Sequence, residues 1–484
     1  MSFEELDSAF HPNSIAVVGA SDNPSSWGRF YMHWCTEYGY RGPVYPVNPG
    51  RSEVLGLQAF PSLNDIPGCV DYVICCLPAP MVPGVLAECV GKKVKLLHIV
   101  AAGFGETGES RGIELEKEIT EQSRERGVRL IGPNCMGLYY PKEGISFGYE
   151  LPREPGPVGM FWQSGGLPTE FIRYAALRGV RFSKVISYGN GLDLNEADFL
   201  EYLGRDAETE VIACYLEGAK DGRRFCEALR STARRKPVIV LKAGRGGAGT
   251  KAASSHTASL AGSLKAWDAV LAQSGAIKVE TLEEMMDLLV SFSFVPPLLG
   301  KRVGIVGGGG GKSVLSADEW EAAGFDVVPL PSEIKEKVKA NLPLQWWGWI
   351  RNPLDISAIP QATRSIGISG DILRMMAVDS HFDLLVANIT VENPYPQEIM
   401  MSVVEKEVDS VIELRRQRTK PLVVVFPPPP LGGDDLRHWR WRFLAEQRSR
   451  LISAGVPVYF SVSQAARAVA RLISYCHKKA SMSC

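Results

Sequence analysis

The segment Ala243–Gly262, AGRGGAGTKAASSHTASLAG, holds a single histidine, His256, flanked by hydroxyl-bearing residues. Apart from His256, only Arg245, Lys251 and Leu260 in it are larger than threonine, so it packs too poorly to serve as core and reads as a functional loop. An imidazole is nucleophilic near neutral pH and can carry a phosphoryl group on one ring nitrogen. Such chemistry asks for a carboxylate on the other nitrogen, and Glu217, at the end of the apolar run Val211–Leu216, is the candidate. The alternative is a histidine merely hydrogen-bonded in a surface loop. The residues alone leave both open.

Three glycine-bearing turns offer places for an anion. Gly19-Ala20-Ser21, followed by Pro24 and Gly28, comes directly after an apolar run, where a phosphate could meet backbone N–H groups at a helix start. The spacing is not GxGxxG, so NAD is not indicated, and an ordinary strand-to-helix turn is the competing reading. Gln163-Ser164-Gly165-Gly166 precedes a helix expected near Pro168, as a phosphate site or a simple helix cap. Gly307–Gly311 with Lys312-Ser313 invites a P-loop reading. It fails, because Val306 stands where that motif needs its first glycine.

The elements that position these turns read as short β-branched runs ending in Gly or Pro. They are Ser14–Gly19, Val70–Leu77 and Lys95–Ala101; then Val158–Trp162, Lys184–Tyr188, Val211–Leu216 and Pro237–Lys242; then Arg302–Val306, Phe325–Pro329, Leu384–Ile389, Pro421–Phe426 and Val456–Phe460. Runs apolar on both faces and separated by helix-length stretches predict parallel sheets covered on both sides. The expectation is an α/β chain of three consecutive doubly wound domains, over 1–148, 155–297 and 298–484, with Arg153–Val158 as a linker.

Composition narrows the class. Lys+Arg 53 against Asp+Glu 54 gives a net charge of -1, which argues against nucleic-acid binding and a polybasic membrane surface. No run approaches a membrane span, and the start of the chain lacks the charge and apolar pattern of a signal peptide, so a cytoplasmic protein is expected. Ten scattered cysteines without a CxxC pair, and seven histidines without ligand spacing, predict neither a disulfide framework nor a metal site.

Together the motifs resemble one family, the alpha subunits of ADP-forming (NDP-forming) acyl-CoA synthetases, relatives of succinyl-CoA synthetase. The resemblance rests on Gly19-Ala20-Ser21 with Pro24 and Gly28, Cys76-Leu77-Pro78-Ala79-Pro80, Ala102-Gly103-Phe104-Gly105-Glu106 and Gly132-Pro133-Asn134-Cys135-Met136-Gly137. Further on it rests on Gln163-Ser164-Gly165, Tyr188-Gly189-Asn190, Asp193-Leu194 with Glu196-Ala197-Asp198, Tyr215-Leu216-Glu217-Gly218 and Ser255-His256-Thr257. It runs through residues 8–475 in family order.

The resemblance implies a Rossmann-like CoA-binding domain followed by two flavodoxin-like ligase domains. It places the turn Gly19–Ser21, with Gly19 and Ser21, and Asn48 at the nucleotide end of CoA, Pro78, Gly103 and Phe104 along the pantetheine, and Pro24, Gly28, Ala102 and Glu106 among the CoA-binding residues. Asn134 would lie near the thioester, Ser164, Gly165 and Gly166 at phosphate, and His256 with Glu217 at the phosphoryl-transfer centre. The implied reaction interconverts acyl-CoA, ADP and phosphate with free acid, CoA and ATP, through an acyl phosphate and a phosphohistidine. ATP or ADP with Mg2+ would sit mainly on an ATP-grasp beta subunit, in a homo- or hetero-oligomer. A catalytically silent CoA-sensing or scaffold protein is the alternative. Two departures stand out, namely Pro168 where a small residue is expected, and the aromatic stretch Gln345–Ile350, which reads as a packed surface loop or as an acyl pocket or subunit interface.

Overall fold

The protein is described from a computed structural model, which covers residues 2–251, 263–340, 342–355, 368–389, 396–428 and 438–482. His256 and its neighbours 252–262 lie outside the described residues.

The first sheet is built from β1 (Ile15–Val18), β2 (Val44–Val47), and, after a small antiparallel hairpin of β3 (Glu53–Val54) and β4 (Leu57–Gln58), from β5 (Tyr72–Cys75), β6 (Leu96–Ile99) and β7 (Arg129–Ile131). All its pairings are parallel, in the order β2-β1-β5-β6-β7. β1, β5 and β6 are buried at every position, which is why they read as continuous apolar runs.

A second sheet combines β8 (Gly137–Tyr139), β9 (Val158–Trp162), β10 (Phe182–Ser187), β11 (Val211–Leu216), β12 (Val238–Lys242) and β13 (Ile277–Val279) in the order β13-β12-β11-β9-β10-β8. The strands β9 to β13 run parallel, and β8 joins antiparallel through Val185 opposite Tyr139 and Ser187 opposite Gly137. Trp162, fully buried, stacks on Tyr215 of the neighbouring strand with centroids 5.1 Å apart and planes 6° apart. A large aromatic pair of this kind adds about 0.5–1.5 kcal/mol beyond the area it buries.

The third sheet holds β14 (Arg302–Gly307), β15 (Asp326–Val327), β16 (Leu384–Asn388), β17 (Leu422–Val425) and β18 (Val458–Tyr459), all parallel, in the order β15-β14-β16-β17-β18. Its core includes Val306, Leu385 and Val424, covered by helices such as Ile368–Val378 and Gln397–Gln417.

Each sheet's parallel strands therefore follow one pattern. The first strand has the second on one side and the third on the other, so all three turn about in the crevice beyond their first strand. In open α/β sheets that reversal is where ligands bind. The chain divides into two compact units, 1–176 with 180–285, and 177–179 with 286–484. The first two sheets share the first unit, and the boundary falls inside the helix Leu282–Phe294.

Candidate functional site

At the reversal of the first sheet, β1 is followed by Gly19, whose φ of +84° is a left-handed conformation that glycine adopts at no steric cost. A Cβ on Gly28 would stand 1.9 Å from the Gly19 carbonyl oxygen, so Gly28 lets the helix Trp27–Glu37 close onto the turn. Ser21 caps this turn by accepting from Asn23 N at 3.1 Å, and Pro24 is exposed on its rim. Asn48 donates to Ala20 O at 2.7 Å, tying the turn to the end of β2. Across the crevice, Leu77 and the buried backbone after β5 face Gly19, and Pro78 begins the short helix Ala79–Met81.

The turn after β6 leans on the same place, where a Cβ on Gly103 (φ +110°) would come 3.4 Å from Ala79 Cβ. Ala102 is exposed there. The Phe104 ring, by contrast, is fully buried in the first core, so this residue faces the crevice only through its backbone. Glu106 spends both carboxylate oxygens on the protein. Oε1 accepts from Gly103 N at 2.6 Å and Phe104 N at 3.2 Å, and Oε2 accepts from Asn190 Nδ2 at 2.6 Å. It holds the turn's shape.

Asn190 belongs to the turn after β10, so these bonds join the two sheets. Arg129 reinforces the joint with paired bonds to Asp193 at 2.7 and 2.8 Å. Gly189 (φ +54°) lets the 188–191 turn nest against Pro133 and Asn134, whose carbonyl oxygens would lie 2.2 and 2.4 Å from a Cβ there. Asn134 itself is left-handed at φ +60°, a conformation asparagine tolerates. Its carbonyl oxygen lies 3.9 Å from where a Gly165 Cβ would be. Asn134 and Gly165, assigned by sequence to thioester and phosphate, are thus brought together.

Gly165 and Gly166 lead into the helix Leu167–Leu177, and the N–H groups of both find no acceptor among the described residues. Open donors at a helix start suit an anion. Pro168, the departure in this motif, lies within the helix's first turn, where a missing N–H costs nothing. Ser164 is fixed through its carbonyl by Ser187 Oγ at 3.1 Å.

Glu217 follows β11 and is 4% exposed. Two donors anchor it to the Gln163–Gly166 turn, for its N–H and that of Gly218 both reach Gln163 Oε1, at 2.7 and 3.2 Å. Tyr215 donates its hydroxyl to Glu217 Oε1 at 3.3 Å. Lys242, buried at the end of β12, donates to the Glu217 carbonyl at 2.8 Å. Burial lowers its ammonium pKa, against the pull of Glu217.

Three residues here were not assigned roles of their own from sequence: Gln163, Asn190 and Lys242. Gln163 carried a signal, as an uncharged polar residue directly after five buried strand positions. Among the described residues no cluster of His, Cys, Asp and Glu could hold a metal, and no helix is long and apolar enough to cross a membrane. In the third sheet, Gly309 caps the helix Gly310–Ala322. The aromatic stretch forms a 3-10 turn, Leu344–Trp349, with Trp346 against the core while Trp347 and Trp349 are 40% and 45% exposed.

Comparison with known proteins decides the family. Residues 13–141 match the model of a CoA binding domain, and residues 155–292 that of a succinyl-CoA ligase like flavodoxin domain. The chain is 35% identical to the alpha subunit of acetate–CoA ligase [ADP-forming] I from Pyrococcus furiosus, over 98% of each chain. It belongs to the alpha-subunit family of ADP-forming acyl-CoA synthetases. A second relative, acetate–CoA ligase [ADP-forming] I of Archaeoglobus fulgidus, is 34% identical over 97% of this chain but only 64% of its own length. The solved dinucleotide forming acetyl-coenzyme A synthetase 1 of Ca. Korarchaeum cryptofilum, in complex with phosphate and ADP, superposes with a TM-score of 0.82 at 30% identity, over 98% of this chain and 97% of that one. As a member of this family the protein is a ligase of the acid–CoA, ADP-forming type.

Proposed function

We propose that the chain is the half of an ADP-forming acyl-CoA synthetase that handles CoA and the phosphoryl group, with His256 as the phosphoryl carrier. In the thioester-cleaving direction, a phosphate oxygen attacks the thioester carbonyl, the C–S bond breaks, and CoA leaves as thiolate and takes up a proton. The acyl phosphate then gives its phosphoryl group to an imidazole nitrogen of His256, releasing the carboxylate. An oxygen of the ADP β-phosphate finally takes the phosphoryl group from nitrogen, forming ATP.

The residues divide these tasks by position. Gly19, Ser21, Pro24, Gly28, Asn48, Pro78 and the Ala102–Glu106 turn shape the CoA crevice. Asn134 meets the thioester, Ser164–Gly166 receive the phosphate, and Glu217 orients His256 and offsets its positive charge. The division into 1–148, 155–297 and 298–484 corresponds to CoA handling, phosphoryl transfer and a further flavodoxin-like part. A separate ATP-grasp beta subunit supplies the ATP and Mg2+ site, a small carboxylic acid such as acetate is the substrate, and the cytoplasm is the compartment.

The observation that carries this reading is the fastening of the buried Glu217 turn, through Gln163, to the turn whose Gly165 and Gly166 donors stand open beside Asn134. Acetyl phosphate labelled with 32P tests it. The chain should acquire acid-labile label that His256→Ala abolishes, together with acyl-CoA formation when the beta subunit and ATP are added. Acyl-CoA formation by His256→Ala at the wild-type rate would overturn it.

A further inference from the structure

The turn that bears Glu217 is fastened at its near end by Gln163 and Lys242 and at its far end by a further residue. That far anchor is Glu196, the first residue of the helix Glu196–Arg205, which Asn195 caps by accepting from Ala197 N at 3.1 Å. Its side chain is fully buried, and Oε1 accepts from Lys220 N at 2.7 Å. One residue further, Asp221 caps the helix Gly222–Ala233 by accepting from Arg223 N and Arg224 N at 3.1 and 3.0 Å. The backbone from Glu217 to Asp221 is therefore held by side chains at 217, 218 and 220 before it enters a capped helix.

Burying a carboxyl with one oxygen unsatisfied is costly, and Glu196 Oε2 has no partner among the described residues. The Tyr188 hydroxyl, also fully buried, has none either. Burial raises the Glu196 pKa, against hydrogen bonds from its own backbone N–H and from Lys220 N. Retaining an acidic group under these conditions calls for a task beyond packing, and an apolar side chain of the same size would fill the space more cheaply.

We propose that Glu196 is a positioning residue for Glu217, setting through Lys220 N the path of the turn that aims the Glu217 carboxylate at the phosphoryl-carrying histidine. The assignment rests on the reading of Glu217 given above. Without the Glu196–Lys220 hydrogen bond, the turn keeps its Gln163 and Lys242 anchors but gains freedom at its far end, so the carboxylate no longer holds one orientation. Formation of acyl phosphate from acyl-CoA, which does not use that carboxylate, is unaffected.

Two substitutions of similar volume separate positioning from packing. Glu196→Met keeps the bulk and removes the acceptor, while Glu196→Gln keeps both. In the full chain, transfer of label from acetyl [32P]phosphate to His256 should slow on the order of 10- to 100-fold in Glu196→Met. Phosphate-dependent release of CoA from acetyl-CoA should stay within about 2-fold, and Glu196→Gln should restore most of the transfer rate. Hydrogen exchange supplies an independent reading, in which the Lys220 amide loses protection in Glu196→Met and keeps it in Glu196→Gln. Wild-type transfer by Glu196→Met, equal loss of both half-reactions, or unchanged Lys220 protection overturns the assignment. Glu217→Ala serves as reference, since normal labelling in that variant would sink the role of Glu217 itself, whatever Glu196 does.

Discussion

The side-chain amide of Asn190 donates to Glu106 Oε2 at 2.6 Å, so a residue of the second sheet shapes the Gly103–Phe104 turn of the first. Glu106 therefore shapes that turn with both carboxylate oxygens already engaged. Glu106→Gln and Asn190→Ala should each weaken CoA binding by about tenfold, the effect of one charge-assisted hydrogen bond near 1.5 kcal/mol. Calorimetric titration with CoA measures this, and unchanged affinity in both variants would show that the turn keeps its shape without them.

Gly28 and Gly166 make a contrasting pair. A Cβ on Gly28 would press into the Gly19 carbonyl at 1.9 Å, whereas one on Gly166 meets nothing within 4 Å. Gly28→Ala should cost about 1–3 kcal/mol of stability and weaken CoA binding, since helix and turn must separate. Gly166→Ala should leave the urea midpoint unchanged.

Lys184 is fully buried between two carboxylates, Asp206 at 3.1 Å and Glu208 at 2.7 Å, while Lys142, 57% exposed, also pairs with Glu208. Removing a buried partner strands charge, so Lys184→Met should cost about 3–5 kcal/mol. Lys142→Met should cost no more than about 1 kcal/mol, as surface pairs do. Denaturant unfolding of the two variants side by side checks the ratio.

Much of this architecture was legible in the sequence, for a physical reason. Strands covered on both faces must be apolar throughout, so β9 and β11 appear with their own limits, and β1, β5, β6 and β14 within a few residues. Short strands carry too little signal. β8 reads only Gly-Leu-Tyr, β13 Ile-Lys-Val, and β2 contains Pro46, so none announced itself. The site divides the same way. Chemical types single out Glu217 and the Ser164–Gly166 turn as candidates, but not that Gln163 ties them together across 54 residues, or that both Glu106 oxygens are already engaged. Those facts depend on which strands become neighbours, and no local pattern encodes that.

His98 gives a pH prediction. It is fully buried, donates from Nε2 to Cys135 O at 3.2 Å, and burial pushes its pKa down to about 4 from 6.5. The unfolded chain therefore binds the proton first. The stability that depends on a neutral His98 is whole above pH 6.5 and drains away as pH falls toward 4, by on the order of 3 kcal/mol. His98→Gln should flatten this slope. Urea midpoints across that pH range compare the two proteins.

The antiparallel strand β8 has a consequence for how the chain can be divided. It lies in sequence with the CoA-binding part, yet pairs with β10 in the following sheet. A cut in the proline-rich stretch before β9 would leave one fragment carrying an orphan strand and the other with a bare β10 edge, open to strangers as a template for aggregation. The CoA-binding part and the sheet that follows it must therefore be shuffled, fused or expressed together, and gene rearrangements should respect that seam.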